Sequence, residues 1–276
     1  MNPIMKYLND KVKILKAAGI ENARGEVYEL LECVTGITKI EALTDEDLFL
    51  TELDEEQIDE LVAKRASHIP LQHLTGVAYF YGHEFLVNEN VLIPRFDTEI
   101  LVEQVVNRIH DGAEVLDLCT GSGCIILSIA AEKKLTTAVG IDISEKALEV
   151  AAKNREKLGL EVTFLRSNIF EQVTGKFDCI VSNPPYIRTD VIPTLTEEVK
   201  NHDPMLALDG FEDGLYFYRK ITETAPAFLK KGGLLALEIG FDQGQDVTAL
   251  FKSHGFLDVE VIKDYGQNDR VVLGHL

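Results

Sequence analysis

From Glu114 to the end of the chain, short apolar runs alternate with segments of helical periodicity. The runs that predict strands are EVLDLC, TAVGID, VTFLR, DCIVS and LLALEIG, followed by the terminal pair DVEVIK and RVVLGHL. Helical spacing is found in CIILSIAAEKK, SEKALEVAAKNREKLG and GLYFYRKITETAPAFLKKG. This alternation predicts a parallel sheet covered by helices on both faces and ended by an antiparallel pair. In such sheets a ligand lies beyond the carboxyl ends of the strands, near the switch in strand order.

The sequence before this region predicts a helical domain and a hairpin. Residues 1–75 carry helical periodicity and predict a small helical domain. Residues 76–93 alternate loosely, turn near Gly82, and predict a hairpin that links this domain to the second one. Residues 94–276 then form the second domain, which contains the predicted sheet.

Three helix boundaries are predicted within the first domain. VKILKAAGI ends at Gly19 and ARGEVYELLECVTG ends at Gly36, and glycine commonly follows a helix because it adopts a left-handed conformation without strain. A further helix is predicted to begin at Thr44, because Asp47 stands three residues later as in a capping box.

Charge restricts the possible partners. The chain has 27 Lys and Arg against 46 Asp and Glu, a formal net charge of −19. Proteins that bind a phosphate backbone normally neutralise it with basic residues, so this balance argues against a nucleic-acid partner. Nine acids and no base lie between Asp45 and Glu60. This acidic run predicts a solvated helix face or, as an alternative, a docking surface for a basic partner.

The compartment is predicted to be the cytoplasm. The four cysteines form no CxxC pair and have no histidine at zinc-ligand spacing, so they predict small buried residues in a reducing compartment and no metal site. The start of the chain, MNPIMKYLND, does not have the pattern of a signal peptide. The longest apolar run, CIILSIAA, is too short to span a bilayer.

Two strand ends together predict a nucleoside site. After the first strand, DLCTGSGC places Gly121 and Gly123 where the backbone can approach a ligand closely, although this turn alone is weak support. The second strand ends in Asp142, about twenty residues beyond the glycines, where a carboxylate can accept both ribose hydroxyls. Ser144 is a better N-cap than Asp142 for the helix that follows. These two elements do not exclude NAD.

The fourth strand ends in SNPPY, which predicts chemistry on an amide or exocyclic amino nitrogen. Such a nitrogen is a poor nucleophile because its lone pair is delocalised. A catalyst helps by accepting both N–H hydrogens and stabilising the positive charge that develops. Asn183 can supply a side-chain oxygen and Pro184 a carbonyl, which the two prolines hold in a fixed direction. Tyr186 offers a ring for a planar group to stack on.

A set of motifs in order gives the chain a family resemblance. The set is PLQHLTG, LIPRFDTE, DLCTGSGC, GIDIS, SNPPYI, DPMLALDGFEDGLYFYR, LEIGFDQG and DYGQNDRVV. With it the chain resembles the HemK/PrmC family, which uses S-adenosylmethionine to methylate the glutamine of the Gly-Gly-Gln motif in peptide release factors. NPPY is shared with amino-directed DNA methyltransferases, whereas PRFDTE and the order of the set are more specific.

The resemblance implies a fold, a cofactor and a partner. The fold is a Rossmann-like class I S-adenosylmethionine-dependent methyltransferase domain. Its seven-stranded, mostly parallel sheet has an antiparallel C-terminal pair, and a small helical domain precedes it. The cofactor leaves as S-adenosylhomocysteine, and the partner is a release factor rather than nucleic acid, a membrane or a metal. The helical domain with its acidic run is expected to grip the release factor.

The resemblance also implies roles for individual residues. Those expected at the cofactor are Cys119, Thr120, Gly121, Ser122 and Gly123 at the methionine moiety, Asp142 at the ribose, Asn168 and Ile169 at the adenine, and Asn183. Those expected at the glutamine are Asn183, Pro184, Pro185 and Tyr186, of which Asn183, Pro184 and Tyr186 are catalytic. Those expected to close over the cofactor side are Pro94, Arg95, Asp97 and Glu99. The chain departs from the family at Asp97, Asn168 and Asp203, where glutamate, aspartate and glutamate are usual.

Two other functions stay open. The first is an amino-directed DNA or RNA methyltransferase acting on adenine N6. It predicts a basic cleft and an inserted recognition domain, and neither the net charge nor the compact motif spacing provides them. The second is a cofactor-binding interaction module without catalysis, which would have no need of the intact Asn183-Pro-Pro-Tyr186.

Overall fold

The computed structural model describes residues 3–276, which divide after Gly76 into two compact units. The first two residues of the domain predicted over 1–75 therefore lie outside the described range. The hairpin predicted over residues 76–93 belongs to the second unit, which begins at Val77. Within residues 3–276, no helix combines the length and the apolar character that crossing a membrane requires.

The first unit is helical. Its helices are α1 (Pro3–Ala17), α2 (Ala23–Thr35), α3 (Lys39–Thr44), α4 (Glu52–Ala66) and α5 (Leu71–Thr75). Leu8, Val12 and Leu15 recur along one face of α1 and are buried, as helical periodicity requires of a helix with one packed face. Gly36 ends α2 in the left-handed conformation with φ 73°, and its N–H donates to the Glu32 carbonyl, as predicted for a glycine C-cap.

The helix boundary predicted at Thr44 is wrong. Thr44 is the last residue of α3, and its hydroxyl donates to the Ile40 carbonyl at 2.8 Å. The capping box with a short acid forms seven residues later, where Thr51 Oγ1 accepts from Asp54 N at 3.1 Å and Asp54 Oδ2 accepts from Thr51 N at 2.9 Å. Both sites have Thr-x-x-Asp spacing, but only Thr51 leads directly into a helix with a buried apolar face.

The second unit alternates strands and helices. Its elements are β1 (Val77–Phe80), β2 (His83–Leu86), α6 (Glu99–Val106), β3 (Glu114–Leu118), α7 (Cys124–Glu132), β4 (Thr137–Asp142), α8 (Glu145–Leu158), β5 (Thr163–Arg166), β6 (Phe177–Ser182), α9 (Glu197–His202), α10 (Met205–Leu208), α11 (Tyr216–Phe228), β7 (Leu229–Glu238), α12 (Gly244–Ser253), β8 (Leu257–Lys263) and β9 (Asp269–His275). Strands β1 and β2 form the predicted antiparallel hairpin.

The remaining seven strands form one sheet in the order β5-β4-β3-β6-β7-β9-β8. Strands β3 to β7 run parallel, β9 is antiparallel to β7, and β8 is antiparallel to β9. This confirms the predicted mostly parallel sheet with an antiparallel C-terminal pair. The order of the strands reverses at β3, which lies between β4 and β6. The loops after these strands therefore emerge together at the edge where open α/β sheets bind ligands.

Both faces of the sheet are buried. Along β3 and β6, Val115 and Cys179 belong to the core on one face, whereas Leu116 and Ile180 belong to the core on the other. Alternation of this kind follows from the two-residue repeat of a strand. Burial of each large aliphatic side chain contributes about 1.5–3 kcal/mol, so the sheet is a rigid support for the loops at its edge.

Candidate active site

A cavity of about 260 Å³ opens at the carboxyl ends of β3, β4, β5 and β6. Of the residues predicted at the cofactor or the glutamine, those that line it are Cys119, Gly121, Asp142, Asn168, Ile169, Asn183 and Pro185. The structure thus brings together residues from four separate loops. Those that do not line it are Thr120, Ser122, Gly123, Pro184 and Tyr186.

The glycine loop after β3 is built on left-handed backbone. Cys119, Gly121 and Gly123 have φ values of 58°, 55° and 80°. A Cβ atom on Gly123 would come within 3.0–3.2 Å of side-chain atoms of Leu127, Phe164 and Ala151, so this glycine permits the start of α7 to pack closely. Gly123 therefore supports the loop from behind, while Gly121 faces the cavity.

Two predicted residues of this loop are buried. Thr120 is 3% exposed, and its hydroxyl donates to Asp117 Oδ2 at 2.6 Å. Ser122 is 2% exposed and is not part of the cavity lining. Asp117 is fully buried, and the loss of water around it raises the pKa of its carboxyl to about 8. The Thr120–Asp117 bond fixes the loop on the end of β3.

Asp142 holds the glycine loop against the start of α8. Its Oδ2 accepts from Gly121 N and its Oδ1 accepts from Ser144 N, each at 2.9 Å. Ser144 is the N-cap of α8, because its side chain accepts from Ala147 N. The Ile143 N–H also lies close to this carboxylate, which lines the cavity and can accept hydrogen bonds from two vicinal hydroxyls. Burial raises the pKa of Asp142.

Asn168 and Ile169 form the turn after β5. Asn168 Nδ2 donates to Glu171 Oε1 at 2.7 Å, which leaves the amide oxygen free of this contact. Ile169 has a φ of 50°, an unusual value for a β-branched residue. Strained backbone of this kind concentrates at ligand sites, and both residues line the cavity.

Asn183 follows directly after β6. Ser182 anchors the end of the strand, because its hydroxyl donates to the Leu118 carbonyl at 2.6 Å. Asn183 Nδ2 donates to Thr98 Oγ1 at 3.3 Å. With its nitrogen engaged in this way, the side chain has Oδ1 available as an acceptor at the cavity.

Tyr186 is held at both ends. Its phenol donates to Glu238 Oε1 at 3.3 Å, and its backbone carbonyl accepts from Gln243 Nε2 at 3.0 Å. A Cβ atom on Gly214 would lie 2.5 Å from the same carbonyl oxygen, so only glycine fits there. Burial raises the pKa of the Tyr186 phenol, which therefore remains protonated and a donor.

The acids and the arginine of PRFDTE have partners of their own. Arg95 pairs with the buried Asp203 at 2.5 Å, and Asp97 lies 3.3 Å from Arg270. Glu99 Oε1 accepts from Tyr81 N at 2.7 Å. None of the four residues predicted to close over the cofactor side lines the cavity.

Part of the cavity wall was not predicted from the sequence. The lining residues that were not predicted at the cofactor or the glutamine are Asn90, Val91, Leu92, Ile143, Ser144, Ala147, Ser167, Pro204, Leu206, Ala207, Phe211, Tyr216 and Phe217. Six of these belong to DPMLALDGFEDGLYFYR, which supported the resemblance as a motif but carried no role. The sequence shows that Leu206 and Phe211 are apolar, but their exposure of 68% and 47% is visible only in the structure.

The chain is similar in sequence to known proteins of one family. The family model described as the methyltransferase small domain matches residues 95–203, and the one described as the PrmC N-terminal domain matches residues 7–76. Release factor glutamine methyltransferase of Agrobacterium fabrum is 42% identical over 268 residues, which cover 94% of this chain and 93% of the relative. The chain belongs to the release factor glutamine methyltransferase family. This confirms the resemblance and the predicted enzyme class.

Other members and a solved structure agree with this assignment. The enzyme of the same name from Thermodesulfovibrio yellowstonii is 42% identical and aligns over 98% of both chains. The crystal structure of a methyltransferase from Pyrococcus furiosus aligns with a TM-score of 0.55 at 20% identity, covering 71% of this chain and 90% of that one. At that identity the likeness concerns the fold, and it confirms the predicted Rossmann-like methyltransferase domain.

Proposed function

We propose that this protein transfers the methyl group of S-adenosylmethionine to the side-chain amide nitrogen of the glutamine in the Gly-Gly-Gln motif of release factors. The proposal is carried by Asn183, whose Nδ2 donates to Thr98 while its Oδ1 remains an acceptor at the cavity that also contains Asp142. A protein that modifies a translation factor acts in the cytoplasm.

The cavity fits the cofactor by the chemistry of its wall. Asp142 offers the two oxygens of its carboxylate, which backbone N–H groups hold in place at the cavity, to the ribose hydroxyls. Cys119 and Gly121 border the space for the methionine moiety, with Thr120, Ser122 and Gly123 supporting them. Asn168 and Ile169 border the space for the adenine.

Asn183 and Pro184 act on the glutamine nitrogen. Asn183 Oδ1 and the Pro184 carbonyl accept its two N–H hydrogens, which turns the nitrogen lone pair toward the methyl group. When bound, the cofactor supplies an electrophilic methyl on a sulfonium. The nitrogen lone pair would form the N–CH₃ bond, and the electron pair of the broken S–CH₃ bond would stay on the sulfur of the departing product. The two oxygens stabilise the positive charge that develops on nitrogen, and one N–H proton then leaves to water. Pro185 and Tyr186 keep this loop in place.

Methyl transfer to an isolated release factor tests the proposal. We expect the label of S-adenosylmethionine to appear on the Gly-Gly-Gln glutamine, located by peptide mass spectrometry, and not on duplex DNA offered separately. Label on DNA alone would replace the proposal by an amino-directed nucleic-acid methyltransferase. Binding of the cofactor with no label on either substrate would replace it by a non-catalytic module.

We also propose that the helical unit recognises the release factor. The acids of α4 are mostly exposed beside a buried apolar face, which suits a basic partner. Two large apolar side chains lie within the same acidic run, Phe49 at 77% exposure and Leu53 at 61%. Exposed apolar groups with charges around them are typical of a protein-binding surface.

Removing these two apolar groups should weaken recognition without affecting the cofactor. We expect the pair of changes Phe49→Ser and Leu53→Ser to raise KM for the release factor about tenfold, the effect of losing about 1.4 kcal/mol of binding energy. The Kd for S-adenosylmethionine, measured by calorimetry, should stay the same. Ile14→Ser, at a 46% exposed position of α1, is the matched control. An unchanged KM would remove this surface from the recognition site.

A further inference from the structure

Glu238 is a buried carboxyl group next to the Asn183–Tyr186 loop. Strands β6 and β7 pair in parallel so that Ser182 lies opposite Leu237, which places Glu238 beside Asn183 at the same strand ends. Glu238 is 2% exposed, and its Oε1 accepts from the Tyr186 phenol. Removing a carboxylate from water costs free energy. A carboxyl group that is buried next to the Asn183–Tyr186 loop is therefore a candidate for a function in that loop.

Thr98 connects this carboxyl group to Asn183. Its hydroxyl lies beside the Glu238 carboxyl group and stabilises the ionised form. Glu238 Oε2 is buried and has no hydrogen-bond partner within residues 3–276, so it is free to accept from the Thr98 hydroxyl after a small rotation of that group. The Thr98 oxygen also accepts from Asn183 Nδ2 at 3.3 Å. One threonine therefore stands between the buried carboxyl group and the amide that acts on the substrate.

We propose that Glu238 is a positioning residue that acts through Thr98 to keep Asn183 Oδ1 directed at the substrate amide. This inference rests on the proposed function for its kinetic consequence. A carboxylate has no hydrogen to donate, so in a hydrogen bond between these two side chains the Thr98 hydroxyl is the donor. The Thr98 oxygen is then only an acceptor for Asn183, and it takes Nδ2 rather than Oδ1. The direction of the bonds thus fixes which atom of Asn183 faces the cavity.

A hydrogen-bond donor at position 238 would allow the Asn183 side-chain amide to adopt the opposite orientation. A protonated or amide side chain there can donate to the Thr98 oxygen, and the Thr98 hydroxyl is then free to donate to Asn183 Oδ1. The Asn183 amide would turn over and present its NH₂ group to a substrate that also donates. Two donors facing each other lose the hydrogen bond on which the reaction depends.

Several ionisable groups surround Glu238. Arg270 lowers the pKa of its carboxyl and Asp97 raises it, while the Tyr186 phenol lowers it by donating a hydrogen bond. The phenol of Tyr218 donates to the Glu238 backbone carbonyl. Burial raises the pKa of the Cys124 thiol, and the negative charge of Glu238 adds a smaller increase. Burial exceeds all of these effects and brings the pKa of Glu238 to about 7. The carboxylate therefore predominates above this pH and the acid below it.

The Glu238→Gln variant tests this directly, because it keeps the size of the side chain and adds a donor. We expect kcat to fall by about 10- to 100-fold, the usual effect of misplacing a catalytic group. KM for the release factor and Kd for S-adenosylmethionine should stay within about twofold, since Glu238 is buried and does not line the cavity. In the wild type kcat should rise as the pH increases through about 7, because Glu238 ionises there. The variant has no carboxyl group at this position, so this rise in kcat should be absent. Glu212→Gln, at an exposed acid of the same unit, should change none of these quantities.

Substitutions at Thr98 separate positioning from packing. Thr98→Val keeps the shape but removes the hydroxyl, so its loss in kcat should match that of Glu238→Gln. The double variant should be no worse than either single one, because both break the same chain of bonds. Thr98→Ser restores the hydroxyl and should recover most of the rate. Equal losses in the valine and serine variants would show that only packing matters and would overturn the proposal.

A measurement without substrate keeps the inference independent of the proposed function. The side-chain amide signal of Asn183, assigned by its disappearance in Asn183→Ala, can be followed by nitrogen-15 NMR. It should shift with pH around a midpoint near 7 in the wild type and stay constant in Glu238→Gln. If no release factor is methylated, the proposed function fails while this titration still supports the role of Glu238. An Asn183 signal that ignores both pH and the variant would overturn it.

Discussion

Replacing Asn183 by alanine is expected to lower kcat for glutamine methylation by about 100- to 1,000-fold, the range seen when one preorganised group that stabilises transition-state charge is removed. The physical reason is that the oxygen of Asn183 accepts an N–H hydrogen whose acidity increases as the methyl group is transferred. This bond is therefore stronger in the transition state than in the ground state. The rate is measured with labelled S-adenosylmethionine and saturating release factor.

The same variant should keep its cofactor and its fold. Asn183 is one of many residues around the cavity, so Kd for S-adenosylmethionine should change by no more than about threefold. Asn107→Ala, at an exposed position after α6, is the matched control and should leave kcat unchanged. A variant that loses cofactor binding along with activity would assign Asn183 to the cofactor. A variant that keeps more than a tenth of the activity would show that another oxygen activates the amide.

The strands and the ends that carry the site were predictable from local patterns. Apolar runs such as Thr137–Asp142 stop at a polar residue, and a parallel sheet brings such residues to one edge. Asp142 and Asn183 were predicted in this way. Asp142 is the last residue of a buried strand, and Asn183 is the first residue after another one. The Thr44 cap failed because two identical Thr-x-x-Asp spacings lie close together, and tertiary burial decides between them.

The residues that hold the site residues in place were not predictable from such local patterns. Thr98 and Glu238 are 85 and 55 residues away from Asn183 in the sequence. Thr98 contacts Asn183 only in the fold, and Glu238 comes next to it only because β6 and β7 pair. Arg95 and Asp203, which lie 108 residues apart, form their ion pair for the same reason. No period or spacing links such residues, because long-range pairs are set by strand order and by the packing of helices on the sheet. These residues belong to the motifs LIPRFDTE, LEIGFDQG and DPMLALDGFEDGLYFYR, but a motif does not show which residues its members contact.

Replacing Asp142 by alanine is expected to weaken the binding of S-adenosylmethionine about 100-fold, because two hydrogen bonds from ribose hydroxyls to a carboxylate contribute roughly 3 kcal/mol together. Asp142→Asn should be almost as weak. Both oxygens of Asp142 accept backbone hydrogens, from Gly121 N and from Ser144 N, and the amide nitrogen of asparagine would face one of these donors. Glu145→Gln, at the first residue of α8, is the matched control for the loss of a nearby charge.

Calorimetry of S-adenosylmethionine binding as a function of pH distinguishes this role from a purely structural one. Burial raises the pKa of Asp142 above the ordinary aspartate value of 3.8. Protonation converts one carboxylate oxygen from an acceptor into a donor, so affinity should fall as the pH is lowered through that raised pKa. The alanine variant has no such group and should bind weakly at every pH. If the wild type and the variant lose affinity in parallel on acidification, the ribose is held by another group, and Asp142 serves only to join the glycine loop to α8.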